Sequence, residues 1–599
     1  MSALGKALAP RPGSLAMAAA LCLFFCTPAA AFIRQTVSAT DATPIRWDLE
    51  EALMPLSSVA GGEVIFVIDT AGDPNIPGTE ENAAVMRAFQ HWEGIGTSRV
   101  AFSHGTDQAI QVANNDGING VYWAAGAQTK VGGTNTAVDG WVSMTPVFYV
   151  SSGANKGLIL DANIILNLND YTWTVHPETN PAAFDVEAHI THEIGHFIGL
   201  DHSGVLAATM SPRYNSGEAR GRVLEKDDQI GASDIYPDGY YGVGTGAISG
   251  SIGRPAAVFG ALVTAIDSSG RVIEQSITAT NGTYRAPGLT ADTYDVYVDP
   301  IDKVPPSTTN LFDLNDLGDF YAAADPNFFA TLTAATSVTP PATTPGVSFL
   351  VGTAAPLVNI SKIGGRAATV AGMLFSTAPT LVFQGDTNIL LGVAGPNLDA
   401  SALFDIAGPG ITDNGVVANG SAGGEPSIVK SFTIDVNAAP GLRSIRVSRG
   451  TQGRTYATGA VEIYPAGISM SGVSPGVYNA SPGEVNAGVL AGENPVELTL
   501  RGADLDIEWD DEPGAYGYHV YRGTLASVAQ GTYDHQMIGG NPNGLCNITG
   551  SYASLKNEAL DPIDRYYLIT AYNNAGEGIT GVDSNEAPLP AASPACPVP

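Results

Sequence analysis

The chain has 599 residues, far more than the ~250–300 that one hydrophobic core organises, so about three to five domains are expected. Its 70 glycines, 39 prolines and 44% hydrophobic content, against 14% charged residues, suit short strands joined by tight turns and argue against helical bundles or disorder. A formal net charge of −32 excludes binding to nucleic acid or anionic membrane through basic patches and fits a protein that stays soluble outside the cell.

At the start of the chain, Lys6 and Arg11 precede an apolar run from Leu15 to Cys26, and small residues follow at Thr27, Pro28, Ala29, Ala30 and Ala31. This is the pattern of a secretory signal peptide, and its roughly 12 apolar residues fall short of the ~20 needed to span a bilayer. Residues 1–31 are therefore expected to be removed, together with Cys22 and Cys26, and the mature protein to be secreted with no membrane span. Cys546 and Cys596 remain, and an oxidising compartment favours joining them, with two buried free thiols as the alternative. The many carboxylates suit calcium, Ca2+, as a hard cation, yet no EF-hand loop or glycine-aspartate nonapeptide places such a site.

The segment with the clearest chemistry is FDVEAHITHEIGHFIGLDH, residues 184–202. In a helix, residues four apart share a face, so His192 and His196 can aim their rings at one point. Gly199 can take the positive φ that ends a helix and returns His202 as a third metal ligand. Three neutral imidazoles suit Zn2+ and leave its fourth position for water, whereas a structural zinc site closes with four protein ligands. Glu193, beside the ligands, is placed to act as general base. His189 lies one turn earlier at the wrong spacing for a ligand and is expected on the helix surface or behind the ligands. His91, His104, His176, His519 and His535 lack partners at ligand spacing and read as structural or solvated.

With these residues the chain resembles the metzincin clan, and Ser203 directly after the third histidine is similar to the matrixin branch. Met210, eight residues after His202 within AATMSPRY, resembles the methionine of the family's Met-turn, which underlies the zinc ligands. Pro212 and Tyr214 resemble the matrixin Pro-x-Tyr wall of the pocket for the residue after the cleaved bond. The resemblance implies an α+β zincin fold, one catalytic zinc and protein or peptide substrates. It extends over residues 45–238: Ala84–Trp92 is similar to the long matrixin helix and Leu224–Tyr236 to the closing helix. Asp161–Asn167 is similar to the strand before the active-site helix, expected as an edge strand able to pair with extended substrate. No cysteine-containing prosegment lies between residue 31 and this region, so the cysteine-to-zinc latency of animal matrixins is not expected.

Beyond residue 238 the chain reads as several all-β sandwiches. Gly246–Pro300, with GAISGSI, FGALVTAID and TYDVYVDP, resembles a carboxypeptidase regulatory-like module. Residues 239–362 are assigned to it, with the Pro/Thr run from Thr339 to Thr344 as linker. Residues 363–467 resemble an immunoglobulin-type IPT module, 468–495 read as linker, and 496–599, with Trp509 and Tyr566–Ile569, resemble a fibronectin type III sandwich. These modules are read as spacers or as surfaces that bind protein or glycan. The whole is expected to be a multidomain, secreted zinc metalloendopeptidase with residues 32–238 catalytic. The competing reading is a surface or matrix adhesion protein built on an inactive zincin scaffold, which the intact Glu193 disfavours.

Overall fold

The computed structural model describes residues 33–466 and 496–596 apart from short internal stretches, the longest being 126–139, 302–310, 539–544 and 579–588. The signal-peptide reading of 1–31 and the linker reading of 468–495 lie outside the described residues. Among the described residues, no helix is long and apolar enough to cross a membrane.

The first layer is a mixed sheet with strands in the spatial order Val59–Ala60, Glu63–Ile68, Asn119–Ala124, Ile164–Asn167 and Ser143–Met144, and Phe102–His104 also pairs with Glu63–Ile68. Its central pairings are parallel, and Asn119–Ala124 and Ile164–Asn167 are buried along their whole length. Parallel strands covered on both faces require such runs of buried side chains. This overturns the edge-strand expectation for Asp161–Asn167: Ile164–Asn167 is flanked on both sides, and the strand outside it is the antiparallel Ser143–Met144. The next strand, Val147–Tyr149, pairs with Ile159–Ala162.

Helices α1 (Glu80–Glu93) and α2 (Val186–Phe197) share a core with this sheet. The helix expected over 84–92 is thus one turn longer at its start. Phe89 and Trp92 of α1 join Phe66, Ile68 and Ile164 of the sheet and Ile190 and Ile194 of α2. Trp92 also donates its indole N–H to the Thr191 carbonyl at 2.8 Å. Asp185 caps α2 by accepting from the Ala188 N–H at 2.8 Å, satisfying a donor that the first helical turn leaves unpaired. Within 224–236 the third helix, α3, covers Lys226–Ile235.

From Gly246 onward the described chain is largely strands. One pair of sheets, built on Gly246–Gly253 with Thr283–Leu289 and on Ala261–Ile266 with Asp292–Pro300, encloses a core of Ile248, Val263, Tyr284 and Val296. Thr336–Val338 pairs with Asp292–Tyr294, and Thr343–Thr344 pairs with Ala247–Ile248. The Thr339–Thr344 run therefore turns within this sandwich and is not a free linker. A second pair of sheets spans Lys362 to Tyr464, and a third spans Glu497 to Glu577.

Candidate metal centre

Helix α2 carries His192, Glu193 and His196 on one turn, and the chain reverses at Gly199, where φ is +102°. A Cβ at Gly199 would meet the Ile45 carbonyl oxygen at 2.4 Å, so glycine is needed there for space as well as for backbone conformation. The reversal is fastened to the start of the described chain: the Gln35 N–H donates to the Gly199 carbonyl and the Asp201 N–H to the Ile33 carbonyl, both at 3.0 Å. His202 is thereby returned to α2.

The candidate ligand atoms of His192, His196 and His202 all lie within 4.8 Å of one another, and the Nε2 atoms of His196 and His202 are 3.2 Å apart. The edge of a tetrahedron with ~2.1 Å zinc–nitrogen bonds is about 3.4 Å, so this spacing fits zinc. Hydrogen bonding fixes the tautomers. His192 Nδ1 faces the Thr209 carbonyl at 2.7 Å, His196 Nδ1 faces the Leu200 carbonyl at 2.9 Å, and His202 Nδ1 faces the Asp316 carbonyl. A carbonyl only accepts, so each Nδ1 carries the proton and each Nε2 keeps its lone pair. Three such lone pairs directed at one point repel unless a cation lies between them, which is the donor chemistry of a zinc site. Burial, reinforced by the neighbouring histidines, pushes His192 well below the ordinary imidazole range and His202 down to about 3, so both rings stay neutral.

Glu193 is buried, and Thr145 Oγ1, on the segment between Ser143–Met144 and Val147–Tyr149, donates to its Oε2 at 2.6 Å. Thr145 was not singled out in the sequence, and its 48-residue separation from Glu193 leaves no local signal.

Met210 is fully buried beneath α2, where a Cβ on Gly195 would meet its Sδ at 2.1 Å. Gly195 is therefore a glycine because the methionine lies directly against the helix. The Asp228 carboxylate accepts from the N–H groups of Thr209 and Met210 at 2.8 and 3.0 Å, so α3 holds this turn. The Tyr214 hydroxyl donates to the same Thr209 carbonyl that His192 uses, at 2.8 Å, and its ring lies 5.8 Å from that of His192. Pro212 beside it is half-buried.

His189 is buried, not on the helix surface, with ring centroids 5.3 Å from Trp173 and Phe184 and 5.4 Å from Tyr214. His91 is also buried, pairing with Glu187 at 2.9 Å, whereas His104 pairs with Asp107 and His176 with Glu80 and Glu178 nearer the surface. Burial opposes ionisation of Glu187, but Arg222, His91 and Arg87 outweigh it and hold this carboxyl well below its usual range. Cys546 and Cys596 form a disulfide with Cα atoms 5.6 Å apart, and His519 lies close to both sulfurs. That third group is invisible in the sequence because the separations are long, and the disulfide already occupies both sulfurs.

Residues 62–237 match the family model described as Matrixin, a peptidase family. The match contains the three converging histidines, Glu193, Met210 and Tyr214, and implies a metallopeptidase with a catalytic zinc and protein substrates. No curated protein matches the chain. Among solved structures, fervidolysin from Fervidobacterium pennivorans, a keratinolytic enzyme related to subtilisin, is 12% identical over 38% of this chain and 32% of its own, with a TM-score of 0.13. A three-immunoglobulin stretch of titin is 12% identical over 56% of this chain and 92% of its own, with a TM-score of 0.14. The ectodomain of mouse nectin-like molecule 4 is 9% identical over 56% of this chain and 91% of its own, with a TM-score of 0.17. The sandwich architecture after residue 245 accordingly rests on its own sheets and cores.

Proposed function

We propose that the chain is a secreted zinc-dependent endopeptidase of the metzincin type, with residues 1–31 as its signal peptide and an α+β zincin fold in its catalytic region. The observation that carries this reading is the convergence of three Nε2 lone pairs beside a buried carboxylate. His192, His196 and His202 would hold a zinc ion, which would supply Lewis-acid chemistry and make water acidic enough to be deprotonated near neutral pH. Glu193 accepts a proton from the attacking water and returns it to the leaving amine. The Thr145 hydroxyl fixes the Glu193 carboxylate during both transfers. Tyr214 and Pro212 form a wall of the pocket for the residue after the scissile bond, with Tyr214 held through Thr209. The Ser143–Met144 edge offers backbone groups to an extended polypeptide. The IPT-like and fibronectin-like sandwiches present the catalytic region to its substrate or bind protein or glycan.

The mature protein should cleave unfolded polypeptide, lose this activity on chelation and regain it with zinc. Glu193→Ala should keep its zinc while kcat/KM falls by about 10²- to 10⁴-fold. If that variant digests peptides as fast as the parent, the assignment of the base is wrong.

A further inference from the structure

We infer that the metal centre is completed from outside the matrixin segment, by the turn Asp313–Gly318 of the first β-sandwich region, which positions His202. This inference rests on reading the three histidines as zinc ligands.

The three ligands differ in how they are supported. Thr209 and Leu200, which receive the Nδ1 protons of His192 and His196, are local to the centre. The acceptor for His202 is the carbonyl of Asp316, 114 residues further along the chain. Even at the half-buried His202 an Nδ1–H without an acceptor is unfavourable, and an imidazole without that acceptor is free to rotate or change tautomer.

The turn bearing this carbonyl is clamped to the His202 loop from both sides. On one side, the Asp316 carboxylate accepts from the Asp313 N–H and from Arg213 Nη2, each at 2.8 Å, with Asp313 itself 3.9 Å from Arg213. Arg213 stands three residues after Met210, so this clamp joins the turn to the stretch that underlies the metal site. On the other side, buried Asp201 accepts from the His202 N–H with Oδ1 at 2.8 Å and from the Gly318 N–H with Oδ2 at 3.0 Å. One carboxylate thus ties the backbone of the third ligand to the far end of the turn. A third tie lies one residue on: Ser203 Oγ donates to Asp227, whose other oxygen accepts from the Gln275 N–H at 2.7 Å. Asp201, Arg213 and Asp316 are positioning residues that act through His202.

The test is zinc affinity of the full mature chain, measured by competition with a chromophoric chelator, together with the visible absorption of the Co2+-substituted protein. Asp201→Ala and Asp316→Ala should each weaken zinc binding by about 10- to 100-fold and alter the Co2+ spectrum. Asp316→Asn, which keeps an acceptor for the Asp313 N–H, should recover most of the loss. Asp399→Ala, at an exposed ion pair in the next sandwich, should change neither. If Asp316→Ala does not fold, Arg213→Met removes one clamp alone and should still shift the spectrum. Parent-like zinc affinity and spectrum in Asp201→Ala and in Arg213→Met would overturn the inference. Because the readout is metal affinity, the result is decided whether or not the chain cleaves peptides.

Discussion

At Gly195 the usual helix preference is reversed. Replacing a mid-helix glycine by alanine normally stabilises by up to ~1 kcal/mol, but here the new methyl would fall 2.1 Å from Met210 Sδ and 3.1 Å from Trp92. Overpacking of this kind costs about 1–3 kcal/mol, so Gly195→Ala should lower unfolding free energy in urea titrations and displace the turn beneath the ligands. Equal or greater stability would show that the methionine yields freely. A second residue-scale expectation concerns Thr145, whose hydroxyl holds Glu193 at 2.6 Å. Thr145→Val keeps the shape and removes the bond, so kcat/KM should fall by up to about 10²-fold while zinc stoichiometry is unchanged; full activity would leave the threonine without a role. The convergence of His192, His196 and His202 beside Glu193 was legible in the sequence because a four-residue step and a glycine turn are local geometry. Thr145 and Asp316 were not, because only the folded chain brings a strand edge and a distant turn to the metal site.

Among the elements, α3 shows how much a correctly placed helix can conceal. Its acidic start, Asp227–Asp228, reads as an ordinary first helical turn, yet the two carboxyls face different tasks. Asp228 holds the Met210 turn and Asp227 joins Ser203 to the sandwich strand at Gln275. Burial, with the neighbouring Asp228 charge adding to it, pushes Asp227 up to about 8; burial also pushes Asp228 up to about 6 against the N–H groups it accepts. Both folded values exceed that of an unfolded aspartate, ~3.9, so between that value and 8 the folded state binds more protons than the unfolded one. Stability contributed by these groups is complete below pH ~4 and is lost as pH rises through 6 and then 8. At saturating zinc, Asp227→Asn should therefore flatten the fall in thermal midpoint between pH 6 and 8 relative to the parent. An unchanged slope would place the protons elsewhere. The edge strand failed as a sequence reading for a related reason: Ile164, Ile165 and Leu166 are apolar because the strand is buried along its length, and an apolar run does not reveal which strand is outermost.

On the scale of the whole molecule, the sandwiches are not strung out behind the region that matches the matrixin model. The Leu206 N–H donates to the Thr458 carbonyl of the second sandwich at 2.9 Å. The Thr549 N–H of the third donates to Gly94, at the end of α1, at 2.7 Å. Nearby, Tyr552 stacks on Tyr240 with centroids 4.2 Å apart, and Lys226 of α3 donates to Ser551 at 3.1 Å. Two glycines permit the approach: a Cβ on Gly94 would meet the Asn547 carbonyl at 2.4 Å, and one on Gly96 would meet the Tyr552 carbonyl at 2.2 Å. Cys546 immediately precedes this contact stretch, and its disulfide closes a 50-residue separation. Cross-links of that span contribute about 2–4 kcal/mol, so Cys546→Ser with Cys596→Ser should lower stability by that amount. Gly96→Val separates docking from cross-linking, because a branched side chain there strikes backbone that cannot step aside while the disulfide stays intact. Hydrogen exchange in this variant should rise at 547–552 and at the end of α1, while the strands Gly517–Thr524 and Arg565–Asn573, which pair only within their own sandwich, stay protected. Protection retained at both faces would mean that the contact tolerates the added side chain and that glycine is not what allows the third sandwich to dock.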